Sequence, residues 1–259
     1  MNHGSRAFMP VSEPIITLTT DFGMSDAYVG EMKGVILNHC PGARLVDISH
    51  QIPPQDVLSG SIVLERILRV FPAGTIHIVV VDPGVGTSRR LLVGQANDQW
   101  IFVPDNGLIT WAWHRIGNIR VQELLFRPVK TPSWTFHGRD ILAPAAALLA
   151  SGQGESVPTI RLDRPVLLNV APAGSLDEAQ VIHIDHFGNV ITNVPVELLS
   201  NDTYVLGVGP IRNTYSDVKI GEPLALIGSS GLLEIAVRNQ HAASQLNLTV
   251  GSKIQFRQS

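Results

Sequence analysis

The chain has little cysteine, few aromatic residues and no block of positive charge. Its 259 residues hold a single cysteine, Cys40, so no intrachain disulfide is possible. Cys40 falls at the end of an expected helix, where it reads as a packed small side chain. No Lys/Arg cluster occurs and the net charge is −3, so neither a nucleic acid nor an anionic membrane is an expected partner. No apolar run reaches transmembrane length. Residues 1–12 lack an apolar core of signal-peptide length and read as a flexible leader, which makes the cytoplasm the expected compartment. No Gly-x-Gly-x-x-Gly follows the first strand, and there is no Walker loop. The nine histidines are scattered; His183 and His186 are weak evidence for a ligand pair, and no metal site is expected.

What is present suits a globular protein. With 44% hydrophobic and 16% charged residues, the chain can build one large or two smaller domains with a sizeable core. Apolar periodicity predicts strands at 15–19, 44–48 and 75–81, separated by helices at 26–38, with Ser25 as cap, and from 54 or 55 to 70. Strands at 91–96 and 99–104 meet across Asn97-Asp98, a hairpin signal. A turn at 135–139 leads into a helix at 140–150. This alternation predicts an α/β domain over 13–155 with a largely parallel sheet. Residues 156–179 carry Pro158, Pro165 and Pro172 with little periodicity and read as a linker. Expected strands at 180–185, 190–194, 203–208, 224–228, 232–237 and 253–256 make 180–259 a smaller all-β domain.

Polar clusters lie just beyond several of the apolar runs. The most informative is Val80-Val81-Asp82-Pro83-Gly84-Val85-Gly86-Thr87-Ser88-Arg89-Arg90. A carboxylate at the C-terminal edge of a buried strand is where α/β folds place ligands and chemistry. Arg89 follows seven residues later and can fold back over the same crevice. Asp-Pro-Gly is also a common turn sequence, so Asp82 alone fits a turn or a site. Asp21 sits past the first strand, where a carboxylate can take both hydroxyls of a ribose; Asp26 fits the same role or a helix N-terminal charge. His137, in Phe136-His137-Gly138-Arg139-Asp140, suits a general base, a water-positioning group or a metal ligand. In Asp185-His186-Phe187-Gly188-Asn189, a hairpin turn and a ligand site both fit, with Asp185 and Asn189 as contacts and Phe187 as a stacking platform. Ser230 and Arg238 can hold a carboxylate. Glu234 can hold an ammonium or pair with a neighbouring cation, and Asn239 follows Arg238.

Taken in order, Thr20-Asp21-Phe22-Gly23, Val46-Asp47-Ile48-Ser49-His50, the Asp82 motif, Pro104-Asp105-Asn106-Gly107, the His137 motif and the Asp185 motif resemble the S-adenosyl-L-methionine (SAM) hydroxide adenosyltransferase family. That family is also called SAM hydrolase (adenosine-forming) and is related to the SAM-dependent fluorinase and chlorinase. The resemblance implies an N-terminal α/β domain, a smaller β domain and a homotrimer, with SAM at a subunit interface. SAM is then the substrate, no cofactor is needed, and adenosine and L-methionine are the products. The family's Asp-Arg-His set maps onto Asp82, Arg89 and His137; Arg90 is the alternative to Arg89, and the spacing favours Arg89. Ribose contacts map onto Asp21. Methionine contacts map onto Asp185, Asn189, Ser230 and Arg238, and base or wall contacts onto Phe187 and Asn239.

A sulfonium departs as a neutral thioether, so the protein needs only to hold water in line with the C5′–S bond and help remove its proton. Such positioning supplies roughly 7–11 kcal/mol in well-oriented systems. The sequence leaves open which of Asp82, Arg89 and His137 accepts the proton. The halide-using relatives carry Tyr-Pro where this chain has Asp82-Pro83, Tyr-Ser where it has His137-Gly138, and an aromatic residue where it has Gln55. A charged Asp82 also repels an anion, so all three departures favour water. A non-catalytic SAM- or adenosine-binding protein is the rival of another class; it would need the SAM contacts but not the three catalytic groups together. The halogenases also have Ser-Arg where this chain has Ser230-Gly231, and Glu234 is a candidate to compensate through the methionine ammonium.

Overall fold

A computed structural model describes residues 13–200 and 202–257; the leader expected at 1–12 lies outside them. The chain divides into two units after Val170.

In the first unit, β1 (Ile15–Thr20) leads to α1 (Tyr28–His39), β2 (Arg44–Ser49), α2 (Val57–Leu68) and β3 (Ile76–Val80). β1 is apolar or β-branched throughout, β3 is so apart from His77, and both are almost wholly buried, as strands covered on both faces must be. The hairpin β4 (Leu91–Ala96) and β5 (Gln99–Pro104) turns on Asn97 and Asp98, both at positive φ, the backbone a two-residue hairpin requires. Then come α3 (Thr110–Arg115), β6 (Arg120–Leu124), α4 (Ala143–Ala150) and β7 (Thr159–Arg161). The sheet order is β2-β1-β3-β5-β4-β6-β7. Pairings from β2 to β5 are parallel and those from β5 to β7 antiparallel. The sheet is therefore parallel only in its first half, because the tight β4–β5 hairpin reverses direction.

One face carries Met32 and Ile36 of α1 and the alanines of α4 against Ile16, Leu18, Ile78 and Val80. The other packs Leu64, Ile67 and Leu68 of α2 and Ala112 of α3 against Val79, Val81, Leu92 and Ile101. Two local expectations differ. Ser25 caps nothing, since α1 starts at Tyr28 behind Ala27. Asp56 caps α2, accepting the Ser59 N–H at 3.0 Å. The proline-bearing stretch 156–179 contributes β7, which pairs with β6.

The second unit is a six-stranded sheet in the order β10-β11-β12-β13-β9-β8. Its strands are β8 (Val181–Ile184), β9 (Val190–Pro195), β10 (Tyr204–Val205), β11 (Gly209–Arg212), β12 (Pro223–Ile227) and β13 (Leu232–Val237), followed by a single helical turn, α5 (Ala242–Gln245). The strand expected at 253–256 is reduced to single bridges from Lys253 to Gln180 and from Phe256 to Val205. No helix among the described residues is long and apolar enough to cross a membrane.

Candidate active site

β1 and β3 are parallel neighbours, with Thr20 opposite Val80. Their C-terminal ends lie side by side, so Asp21 and Asp82 emerge at one sheet edge. Asp82 and Arg89 turn towards each other across the loop and form an ion pair with side chains only 6% and 9% exposed. The Arg89 Nε–H donates to Asp82 Oδ1 at 2.7 Å and to Oδ2 at 2.8 Å, and Nη2 also reaches Oδ2. Arg89 Nη1 lies 3.1 Å from His137 Nδ1. A guanidinium has donors and no acceptor, so Nδ1 accepts and the His137 proton sits on Nε2. Burial and the Arg89 charge push the His137 imidazole below its ordinary pKa, partly offset by Asp82 and Asp140.

His137 stands at the head of a wide helical turn, residues 138–142, that feeds α4; such turns concentrate at functional sites. Gly86 has φ +81°, and a Cβ there would come 2.5 Å from the Trp134 carbonyl oxygen. The glycine thus lets the Asp82 loop pack on the segment that delivers His137. Asp21, Gln55, Asp82, Phe136 and His137 line a cleft of about 260 Å³. Arg89 is not among the lining residues and bridges Asp82 and His137 from behind.

Asp21 accepts the Gln55 N–H at 2.8 Å. Gln55 holds a left-handed φ of 68°, a strained conformation for a residue with a Cβ. The Asp21 loop is further pinned by His50, which is buried. Its Nδ1 lies 2.9 Å from Thr20 Oγ1, its Nε2 3.0 Å from Asp47 Oδ1, and its carbonyl accepts the Gly23 N–H. Asp26 is exposed ahead of α1. Arg90 turns away from Asp82, and its Nε–H donates to Asp105.

In the second unit, Phe187, Asn189, Tyr215, Asn239 and His241 line a separate cleft of about 660 Å³. Asp185 serves its own turn: Oδ1 accepts the N–H groups of Phe187 and Asn189, and Oδ2 accepts the Asn189 amide. That turn presents Phe187, 75% exposed. Gly188 has φ +85° and lies against the His241 ring, where a Cβ would come 2.3 Å from Cγ. Glu234, on β13, is 6% exposed and accepts the Tyr215 hydroxyl, which burial and Glu234 hold above the usual phenol pKa. Arg238 Nη1 donates to the Val218 carbonyl at 2.6 Å, bracing the turn that carries Tyr215. Ser230 and Arg238 are not among the lining residues. Tyr215 and His241 are cleft residues the sequence reading did not name. The signal available for Tyr215 was its Thr214-x-x-Asp217 capping box.

Among the described residues, no three His, Cys, Asp or Glu side chains group to hold a metal ion. Residues 16–158 match the model of the SAM hydroxide adenosyltransferase N-terminal domain, and residues 179–255 that of the C-terminal domain. A protein of Thermus thermophilus named (R)-S-adenosyl-L-methionine hydrolase is 39% identical, over 92% of this chain and 97% of that one. A fluorinase of Actinoplanes sp. is 29% identical, over 94% and 97%. The crystal structure of an uncharacterized conserved protein from Thermotoga maritima is similar at a TM-score of 0.84 and 37% identity, over 93% of this chain and all of that one.

Proposed function

This chain belongs to the SAM hydroxide adenosyltransferase family, and on that basis we propose that it hydrolyses SAM to adenosine and L-methionine by attack of water on C5′. The observation that carries the reading is the Asp82–Arg89–His137 arrangement. His137 offers a donor, Nε2–H, because its Nδ1 faces the Arg89 guanidinium. Asp82 is an anionic acceptor lining the same cleft. Water held between them accepts from His137 and donates to Asp82, which leaves a lone pair free to face C5′. As the C–O bond forms, the C5′–S pair passes to sulfur, methionine leaves as a neutral thioether, and the water proton departs through Asp82. Arg89 holds both partners and offsets the carboxylate charge. Asp21 is the acceptor for the ribose hydroxyls.

Two pieces of this proposal go further. The name of the Thermus relative specifies the R sulfonium, and the same configuration is the expected substrate here. The working form is taken to be a cytoplasmic homotrimer, in which the Phe187–Asn189–Asn239 cleft of one chain closes on SAM held by the Asp82 cleft of another. Two separately lined clefts of complementary character support that reading: one carries the reacting groups, the other an exposed aromatic ring and amides. Gly138 also disfavours a halide, since it lacks a side chain to hold one.

The test is chromatography of the protein incubated with SAM, with and without chloride. Adenosine and methionine should appear, and Asp82→Ala or His137→Ala should lower their rate by roughly 10²–10⁴. A 5′-chloro-adenosine that rises with chloride would assign the chain to halide chemistry. Tight SAM binding with no product would leave it a binder.

A further inference from the structure

The Pro104-Asp105-Asn106-Gly107 motif has no part in the reaction as described, yet both ends of the reactive loop are tied to it. Val81, immediately before Asp82, lies one residue past the last β1–β3 rung, Thr20 with Val80. Its residue is fully buried, and its carbonyl accepts the Asn106 Nδ2–H at 2.8 Å. Asn106 Oδ1 in turn accepts the Leu108 N–H at 3.3 Å, which fixes the amide so that its donor faces Val81. At the other end, the carbonyl of Arg90, immediately after Arg89, accepts the Asp105 N–H at 3.0 Å. The Arg90 Nε–H donates to Asp105 Oδ2 at 2.7 Å. The Asp105 side chain is 1% exposed, and its Oδ1 accepts the Val166 N–H at 2.7 Å.

Between these ties, the loop contains Pro83, Gly84 and Gly86, and its own bonds are local turns: Val85 N–H to the Asp82 carbonyl, Thr87 N–H and Oγ1–H to the Gly84 carbonyl, and Arg89 N–H to Thr87 Oγ1. These bonds, and the Asp82–Arg89 pair itself, tie the loop to itself and not to the strands that place it opposite His137. We infer that Asp105 and Asn106 are positioning residues: they clasp the two ends of the 82–89 loop and so hold Asp82 and Arg89 in register with His137. The inference deepens the proposed reaction and rests on that reading for its kinetic test only.

The experiment uses the full chain with Asn106→Asp, which keeps the side-chain size but loses the donor to Val81, and Arg90→Lys, which keeps the charge but loses the guanidinium fork. Each is assayed below its own unfolding midpoint. The expected result is a kcat lowered by roughly tenfold or more, with KM for SAM changed by less than about twofold. A second readout is independent of turnover. The charged groups facing His137 are Arg89, Asp82 and Asp140, none of which is substituted, and the titration is read on Arg90→Lys, which leaves the charge count unchanged. Once Arg89 is no longer held against Nδ1, the His137 imidazole should titrate at a higher pH by NMR. Unchanged kcat and unchanged His137 titration, with only a lowered unfolding midpoint, would overturn the inference. If the wild-type protein releases no adenosine, the reaction reading fails, and the His137 titration still decides the positioning claim.

Discussion

At the residue scale, the determining fact is where protons sit. His137 can accept from Arg89 at Nδ1 only while neutral, and burial together with Arg89 holds its pKa below the usual imidazole range. The kcat profile should therefore stay level through neutral pH and fall only on the acid side, below about 6.5. Arg89→Gln should move that acid limb upward, because the neighbouring cation is gone, and should also lower kcat. A pH series on both proteins checks this. His77 behaves differently. It is buried between Thr17 Oγ1 at 2.7 Å and Gln99 Oε1 at 2.6 Å, and burial lowers its pKa to about 4. The unfolded chain binds this proton near pH 6.5 and the folded one only near 4. Stability is therefore whole above 6.5 and declines as pH falls towards 4, by up to about 1.4 kcal/mol per pH unit from this group. Denaturant titrations at pH 7, 6 and 5 should show that slope, and His77→Gln should flatten it.

At the element scale, two loops at the ends of parallel strands carry the site, and each depends on a residue outside it. His50→Ala removes the ties to Thr20 and Asp47 and frees the Asp21 loop. KM for SAM should rise by roughly tenfold, a loss of about 1.4 kcal/mol, with a smaller effect on kcat, as steady-state kinetics will show. Gly86→Ala places a methyl into the Trp134 carbonyl at a positive φ. It should cost about 1–3 kcal/mol of stability by thermal or denaturant unfolding and lower kcat by separating Asp82 from His137. Much of this scaffold was legible beforehand. β4, β5 and β13 begin and end where hydrophobic alternation and the Asn97-Asp98 turn put them. β6 and β7 were not, because Arg-Val-Gln-Glu-Leu alternates weakly and Thr-Ile-Arg lies among prolines. Charged and polar residues pointed to Asp21, Asp82 and His137 through their place just past apolar runs. Tyr215 and His241 gave no such signal, since an aromatic on a turn and a helix-capping histidine look ordinary in sequence. Nor did the sequence show that Asp185 spends its oxygens on its own turn, or that Arg89 bridges from behind the cleft rather than lining it.

At the scale of the whole molecule, the proposal divides the work between two clefts and brings them together by assembly. Sedimentation equilibrium should return a trimer. Asp82→Ala and Asn189→Ala should each be poorly active alone. When the two are co-expressed, some interfaces pair an intact Asp82 cleft with an intact Asn189 cleft, so the mixed protein should regain part of the activity. No recovery in mixed trimers would place both clefts of a working site on one chain.

The central claim is that water attacks C5′ and that sulfur leaves. The most direct measurement is mass spectrometry of the nucleoside formed from SAM in water enriched in oxygen-18. Adenosine carrying one heavy oxygen, retained in its 5′-CH2OH fragment, is the predicted result. Unlabelled adenosine, or a nucleoside bearing another group at C5′, would contradict it.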